Sequence, residues 1–203
     1  MTSPLKRTII LASQSPRRRQ LLEEAGYSFV VIPPDDLAEC GICSGESPPQ
    51  FAARLAYQKA ANVASRIREG LILACDTVVS CDGQILGKPR DEDDARKMLH
   101  LLRGREHSVF TGVCLWDYPH SSPKIQVAET RLVMAELTDE EIEEYLASGL
   151  WEGKAGAFGY QDRLGWLRII EGTESNVVGL PLECLERMLR EYQQPRATDS
   201  SGL

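Results

Sequence analysis

The stretch from Leu11 to Leu22 reads LASQSPRRRQLL, and it decides how the first part of the chain folds. The apolar run Thr8 to Ala12, which leads into it, is typical of a β-strand. A helix start follows directly, with Ser13 or Ser15 as the N-cap and Pro16 at the first helical position. The expected buried face of this helix consists of Leu21, Leu22 and Ala25.

Arg17, Arg18 and Arg19 occupy the first turn of the predicted helix. A helix N-terminus carries roughly half a positive charge and unpaired N–H groups, so it disfavours cations by about 0.3–1 kcal/mol per charge. A bound anion would remove this conflict. A strand, a serine-rich turn and a cationic helix start therefore predict a phosphate pocket. The alternative is that the arginines extend into solvent, away from the turn.

The composition excludes several classes of protein. The 203 residues carry a formal charge of −7, which argues against a general nucleic-acid binder. No apolar run approaches the roughly 18 residues that a membrane span needs. The segment Met1 to Arg7 is too short and too polar for a signal peptide. We therefore expect a cytoplasmic protein whose partner is a small phosphorylated ligand rather than nucleic acid or a membrane.

Cysteine usage is compatible with a reducing compartment. The chain has 6 cysteines without a secretory signal, so reduced thiols are expected rather than a disulfide framework. Cys40 and Cys43 form a C-x-x-C motif without the second pair that a zinc site requires. Metal or redox use of this pair remains an alternative.

Strands and helices alternate in the first half of the chain, and two longer strands follow. The segments Ser108 to Trp116 and Ile125 to Ala135 read as antiparallel neighbours, and Glu174 to Val178 reads as a late strand. The order predicts an α/β fold with a mixed, strongly twisted central sheet flanked by helices. We expect one domain over residues 1–192 and a disordered tail over residues 193–203.

Charged side chains at the ends of these elements are the candidate site residues. Asp76 follows the apolar run Leu71 to Cys75, and a buried carboxylate is costly unless it meets a cation or a metal. Lys59 lies beside the apolar stripe of a helix that begins at Pro48; the alternative is a surface lysine with a buried stem. Lys88 lies on a stiff loop that lacks Walker A spacing.

These groups fit metal-assisted phosphoryl or nucleotidyl chemistry. Cations neutralise phosphate oxygens, and carboxylates hold Mg²⁺ or Mn²⁺ or take a proton from water. The scattered histidines argue against histidine-based catalysis. The candidates are the cations Arg17, Arg18, Lys59 and Lys88, the hydroxyls of Ser13 and Ser15, and the carboxylates of Asp76 and Glu39.

Six motifs in order then resemble those of the Maf family of nucleoside triphosphate pyrophosphatases, and they span most of the chain. They are Ser13 to Arg18, Arg54 to Ala60, Cys75 to Val78, Gly87 to Pro89, Lys154 to Gln161, and Val178 to Leu182. The resemblance implies two lobes around a nucleotide cleft in a Maf/ITPase-like fold. It also implies hydrolysis at the α–β phosphate linkage with a divalent cation, giving a nucleoside monophosphate and pyrophosphate.

Matched residue by residue, the resemblance implies that Asp76 is the proton acceptor and a metal ligand. The family's acidic pair falls near Leu37 and Ala38 here, so Glu39 is the expected second ligand, with Asp35 and Asp36 as alternatives. The specificity positions are Arg17, Thr77 and Gln161, and they resemble the dTTP/UTP-type set rather than the 7-methyl-GTP type.

The sequence leaves two questions open, one about function and one about the oligomeric state. The chain could be a nucleotide-binding regulator of cell division in which hydrolysis is incidental, since family members are linked with septum formation. A homodimer is compatible with the family pattern, but no residue in the sequence requires it.

Overall fold

The computed structural model describes residues 7–35, 45–162 and 164–193. The strands in these ranges are β1 (Ile9–Leu11), β2 (Phe29–Val31), β3 (Gly70–Cys81), β4 (Gln84–Leu86), β5 (Glu106–Tyr118), β6 (Lys124–Met134) and β7 (Leu167–Glu171). The α-helices are α1 (Pro16–Glu24), α2 (Pro48–Ala64), α3 (Glu92–Leu102), α4 (Asp139–Ala147), α5 (Glu174–Val178) and α6 (Leu182–Gln193). Two short 3-10 turns, Ala155–Ala157 and Tyr160–Asp162, precede β7.

The strands form one sheet in the order β2-β1-β3-β5-β6-β7, with β4 paired to β3. Strand β1 runs parallel to both β2 and β3, because α1 and α2 provide the crossover connections. The pairs β3–β4, β3–β5, β5–β6 and β6–β7 are antiparallel. The predicted mixed sheet flanked by helices is confirmed, as is the antiparallel pair in the middle of the chain.

One face of the sheet carries two separate apolar clusters. Side chains alternate between the two faces of a strand, so Leu73, Thr77 and Val79 lie on the same face of β3. Leu73 packs in a cluster with α1 and α6, whereas Val79 packs in a second cluster with α3 and α4. Thr77 lies between them and is paired in register with the buried Thr111 of β5. The face is therefore divided by polar side chains in its middle.

Helix α2 covers the opposite face of the sheet at short range. A Cβ atom at Gly112 of β5 would lie 2.3 Å from the carbonyl oxygen of Ala52, so only glycine allows this approach. Ala56 and Ala60 of the same helix pack against Ile72 and other residues of this face. The small side chains bring α2, and with it Lys59, close to β3.

Two predictions about local structure are wrong. Glu174–Val178 is a helix, because the Thr173 side chain accepts a hydrogen bond from the Asn176 amide and caps its start, while Gly179 ends it with a left-handed conformation (φ of 115°). In α1 the buried residues are Arg18 and Leu22. Ala25 lies beyond the last turn and is exposed, so it contributes nothing to the buried face.

Several predictions fall on residues that the structure does not describe. Glu39, Asp36, Cys40 and Cys43 lie outside the described ranges, and so does the predicted tail beyond Gln193. Within the described ranges, the cysteines at 75, 81, 114 and 184 are free and buried. No helix in the same ranges is long and apolar enough to cross a membrane.

Candidate active site

The candidate site lies where one edge of β3 is left uncovered. Strand β1 pairs with Leu71 to Leu73, and β4 pairs with Val79 to Cys81. In the described part of the chain, Asp76 and Thr77 therefore have no neighbouring strand on this side. Both side chains can reach the cleft from this gap, although alternation places them on opposite faces of β3. The gap lies at the carboxyl end of β1, where α/β sheets commonly bind ligands.

Asp76 meets a lysine from α2. Its Oδ1 atom lies 2.6 Å from Nζ of Lys59, and only 11% and 6% of the two side chains are exposed. Lys59 lies on the face of α2 that packs against the sheet, which places its ammonium beside β3. The alternative of a surface lysine is excluded, because the ammonium is buried together with the carboxylate.

Arg18 ties three elements of the site together. Its guanidinium donates to the carbonyl of Gly179 at 2.7 Å, to Oγ1 of Thr77 at 3.0 Å and to Oγ of Ser13 at 3.4 Å. The arginine thereby joins α1 to β3 and to the end of α5. Burying a cation in the first turn of a helix is costly unless its N–H groups are satisfied, and these oxygens satisfy three of the five. Arg18 thus helps to hold the wall of the cleft together.

The polar chain that starts at Arg18 continues through the sheet. Oγ1 of Thr77 lies 2.9 Å from Oγ1 of Thr111, and Thr111 donates to the carbonyl of Asn176 at 3.2 Å. The side-chain amide of Asn176 donates in turn to Oγ1 of Thr130 and to the carbonyl of Val109. This network explains why threonines interrupt the apolar face, and why α5 packs against β5 and β6.

One cleft of about 500 Å³ gathers the predicted site residues that the structure describes. Arg17 reaches across it and donates to the carbonyl of Gly153 at 3.2 Å. Burial lowers the pKa of Arg17, and the positive charge of Arg18 lowers it further. Of the predicted set, the residues that line the cleft are Ser13, Ser15, Arg17, Arg18, Lys59, Asp76, Thr77, Lys88 and Gln161. Glu39 cannot be placed.

The inner end of the cleft is apolar and contains a histidine that the sequence patterns do not single out. His107 of β5 lies on the same face as Val109 and Thr111, and it lines the cleft with Leu132 and Met134. Its Nδ1 atom is 3.2 Å from the carbonyl oxygen of Arg105. Burial lowers the pKa of His107, so its neutral form is favoured. The signal that the sequence offers for this residue is that it directly precedes the predicted strand Ser108 to Trp116.

The glycine-rich segment Gly153 to Asp162 forms the opposite wall. Asp162 accepts hydrogen bonds from Lys154 at 2.5 Å, from the hydroxyl of Tyr145 at 2.6 Å and from the amide of Gly159 at 3.1 Å. Sequence reasoning identified the glycines as a place of close approach but missed the carboxylate that organises them.

A divalent cation would find a limited set of protein ligands here. No group of three or more histidine, cysteine, aspartate or glutamate side chains in the described ranges could hold a metal ion. Mg²⁺ commonly binds through one or two carboxylates together with substrate phosphates, so such a group is not required. Asp76 supplies a carboxylate at the open edge, among cations suited to phosphates. These residues fit an ion that arrives with its nucleotide.

Comparison with known proteins identifies relatives in sequence and a solved structure with a similar fold. A "dTTP/UTP pyrophosphatase" of Rhodopirellula baltica is 56% identical over 193 residues, covering 95% of this chain and 85% of the relative. A "dTTP/UTP pyrophosphatase" of Carboxydothermus hydrogenoformans is 47% identical over 186 residues, covering 91% of this chain and 98% of the relative. The solved structure of the Staphylococcus aureus Ham1 protein has the same fold, with a TM-score of 0.54 and 12% identity over 92% of this chain and 100% of that one.

The family model described as "Maf-like protein" matches residues 8–192, which include all of the described site residues. The match extends from the residue before β1 to the last turn of α6. The motifs quoted from the sequence therefore belong to one continuous family domain, and the chain is a member of the Maf-like protein family.

Proposed function

We propose that this protein is a nucleoside triphosphate pyrophosphatase that hydrolyses dTTP and UTP at the α–β phosphate linkage. The products are a nucleoside monophosphate and pyrophosphate. The observation that carries the proposal is the buried Lys59–Asp76 pair at the open edge of β3, inside a cleft lined by further cations. The names of the relatives that are 56% and 47% identical support the substrate class. A cytoplasmic location is part of the same proposal.

Asp76 is the proposed base. Its carboxylate accepts a proton from a water molecule, and the water oxygen forms a bond to the α-phosphorus. The bond from this phosphorus to the bridging oxygen breaks, and its electron pair leaves with pyrophosphate. Lys59 holds the carboxylate in place at 2.6 Å and prevents it from rotating away from the water.

The cations of the cleft have different proposed tasks. Arg17 and Lys88 line the cleft and balance the negative charge that moves onto the leaving group. Arg18 uses three of its five N–H groups to hold Thr77, Gly179 and the turn at Ser13 in position, and it also lines the cleft. Bound Mg²⁺ or Mn²⁺ would neutralise phosphate oxygens, with Asp76 and Glu39 as its proposed protein ligands.

Base selection is assigned to Arg17, Thr77 and Gln161. A glutamine amide both donates and accepts, so it can match the alternating donor and acceptor edge of uracil or thymine. Tyr160, beside Gln161, also lines the cleft and limits the width available to a base.

The experiment that tests the proposal is pyrophosphate release by the purified protein with Mg²⁺ or Mn²⁺. The substrates are dTTP, UTP, CTP, GTP, ATP and 7-methyl-GTP at matched concentrations. Selective turnover of dTTP and UTP is the expected result. Preferential hydrolysis of purine nucleotides would support the proposed reaction but contradict the assignment of the base. If the protein binds nucleotides but hydrolyses none of them, the proposed pyrophosphatase activity is contradicted. The alternative of a nucleotide-binding regulator would then be favoured.

A further inference from the structure

Asp162 is a buried carboxylate outside the set of residues discussed for the reaction. Only 8% of its side chain is exposed, and the same value for its partner Lys154 is 11%. A buried carboxylate is retained at a low free-energy cost only when donors surround it. Asp162 has three such donors, one from α4 and two from the glycine-rich wall.

The three donors connect the glycine-rich wall to α4. The hydroxyl of Tyr145 comes from α4, Nζ of Lys154 from the start of the wall, and the amide of Gly159 from its middle. Burial and the hydrogen bond to Asp162 raise the pKa of Tyr145, so its hydroxyl stays protonated and able to donate. Asp162 lies at the end of the wall, and its hydrogen bonds tie this end to Lys154 at the start and to Tyr145 of α4.

Gly159 leaves room for this position of the Lys154 side chain. A Cβ atom at this position would lie 2.8 Å from Nζ of Lys154 and 2.9 Å from two of its carbon atoms. The lysine side chain therefore lies flat on the backbone of Gly159 and extends to Asp162. Lys154, Gly159 and Asp162 together form a compact charged centre, which we call the Asp162 centre.

Two members of the Asp162 centre, Lys154 and Gly159, line the nucleotide cleft themselves. Gln161, the residue before Asp162, also lines the cleft, as does Tyr160. The wall is rich in glycine, so its backbone would sample many conformations without such an anchor. An amide that reads a base edge must be held within about half an ångström of its productive position.

We propose that Asp162 is a positioning residue for base recognition, which acts by fixing the wall segment that presents Gln161 to the pyrimidine. The inference rests on the proposed function, because it takes Gln161 as the base-reading residue. Asp162 does not contact the substrate. Its effect reaches the base through the backbone between Gly159 and Gln161.

The test compares kcat and KM for UTP and CTP, which differ at the edge that an amide reads. The Asp162→Ala variant is expected to raise KM for UTP about 10-fold while kcat stays within about 3-fold, and to reduce the UTP-over-CTP preference about 10-fold, as for loss of one positioned hydrogen bond. Asp162→Asn retains an acceptor for Tyr145 and Gly159, so its preference should lie between those of the wild type and Asp162→Ala.

A double-mutant cycle with Gln161→Ala separates this role from general destabilisation. If Asp162 acts through Gln161, the double variant has the same preference as Gln161→Ala alone. Additive losses of preference would overturn the inference, as would an unchanged preference in Asp162→Ala. Leu185→Ala is the matched control: it removes a buried side chain of α6 and lowers stability, in a core cluster that contains none of the donors to Asp162. Its preference should equal that of the wild type.

The failure of the inference and the failure of the proposed function give different results. A wild-type protein without pyrophosphatase activity contradicts the proposed function. A selective wild-type enzyme whose preference survives in both Asp162 variants contradicts only the role of Asp162. Where Asp162→Ala does not fold, Asp162→Asn and the cycle built on it provide the same comparison.

Discussion

Nζ of Lys59 lies 2.6 Å from Oδ1 of Asp76, and both side chains are buried between α2 and β3. The two residues are 17 positions apart in the sequence, and their contact joins α2 to β3. A buried pair of this kind couples stability to function, because the same carboxylate that offsets the lysine charge is the proposed base. The two roles can be separated by substitution.

Replacing Asp76 by asparagine should remove the proposed base while retaining its shape. We expect kcat for dTTP hydrolysis to fall about 100- to 10,000-fold, the usual contribution of a general base. The measurement is steady-state pyrophosphate release, with circular dichroism to show that the variant folds. A folded Asp76→Asn protein with full activity would refute the role of Asp76.

Replacing Lys59 by methionine should leave a carboxylate buried without its ammonium partner. Breaking a buried ion pair in this way costs about 3–5 kcal/mol, so the free energy of unfolding in urea should fall by that order. The Lys59→Met, Asp76→Asn double variant has no unpaired charge and should be more stable than Lys59→Met alone. Equal stability of the single and double variants would contradict this account of the pair.

Replacing Arg18 by lysine should damage the cleft wall although the charge is kept. A lysine ammonium cannot reproduce the planar set of donors that reaches Gly179, Thr77 and Ser13. We expect a loss of about 1–3 kcal/mol in the free energy of unfolding, measured by urea denaturation. Arg19→Lys is the control, since Arg19 is exposed and should tolerate the change.

Adding a methyl group at Gly112 should displace α2. The new Cβ would clash with the backbone of Ala52, which cannot move without the helix. Overpacking of this kind costs about 1–3 kcal/mol, and activity should fall as well because α2 carries Lys59. Gly87→Ala is the matched control for stability, since no atom lies within 4 Å of a Cβ there. Equal thermal stability of the two variants would contradict the prediction.

The buried His107 should make the protein less stable in mild acid. Its folded-state pKa is lowered by burial from the ordinary value of 6.5, so the unfolded chain takes up a proton first as the pH falls. Because the unfolded state binds more protons in this window, stability declines as the pH drops below about 6.5, until the folded-state pKa is reached.

The check is the free energy of unfolding between pH 7.5 and pH 5 for the wild type and His107→Gln. The slope attributable to His107 is at most about 1.4 kcal/mol per pH unit, and it should be missing from the variant. Parallel curves for the wild type and His107→Gln would overturn the prediction.

Local signals explain why much of the fold could be predicted. The capping boxes at Ser47 and Thr138 and the cap at Asp91 lie within a few residues of the helices they start. The turn at Asp82 and Gly83 likewise joins two adjacent strands. Glu174–Val178 was misread as a strand because five residues with two valines carry little periodicity. Its caps at Thr173 and Gly179 were the better signal.

The amino-acid sequence by itself determined the α/β class, the order of most elements and the identity of the groups with phosphate chemistry, because caps, turns and apolar spacing act over a few residues. Only the tertiary structure decided which groups meet. Strand pairing leaves the edge of β3 open at Asp76, and the approach of α2 at Gly112 brings Lys59 to it. The Asp162 centre also depends on contacts between segments that are distant in the chain, and no local pattern encodes such contacts.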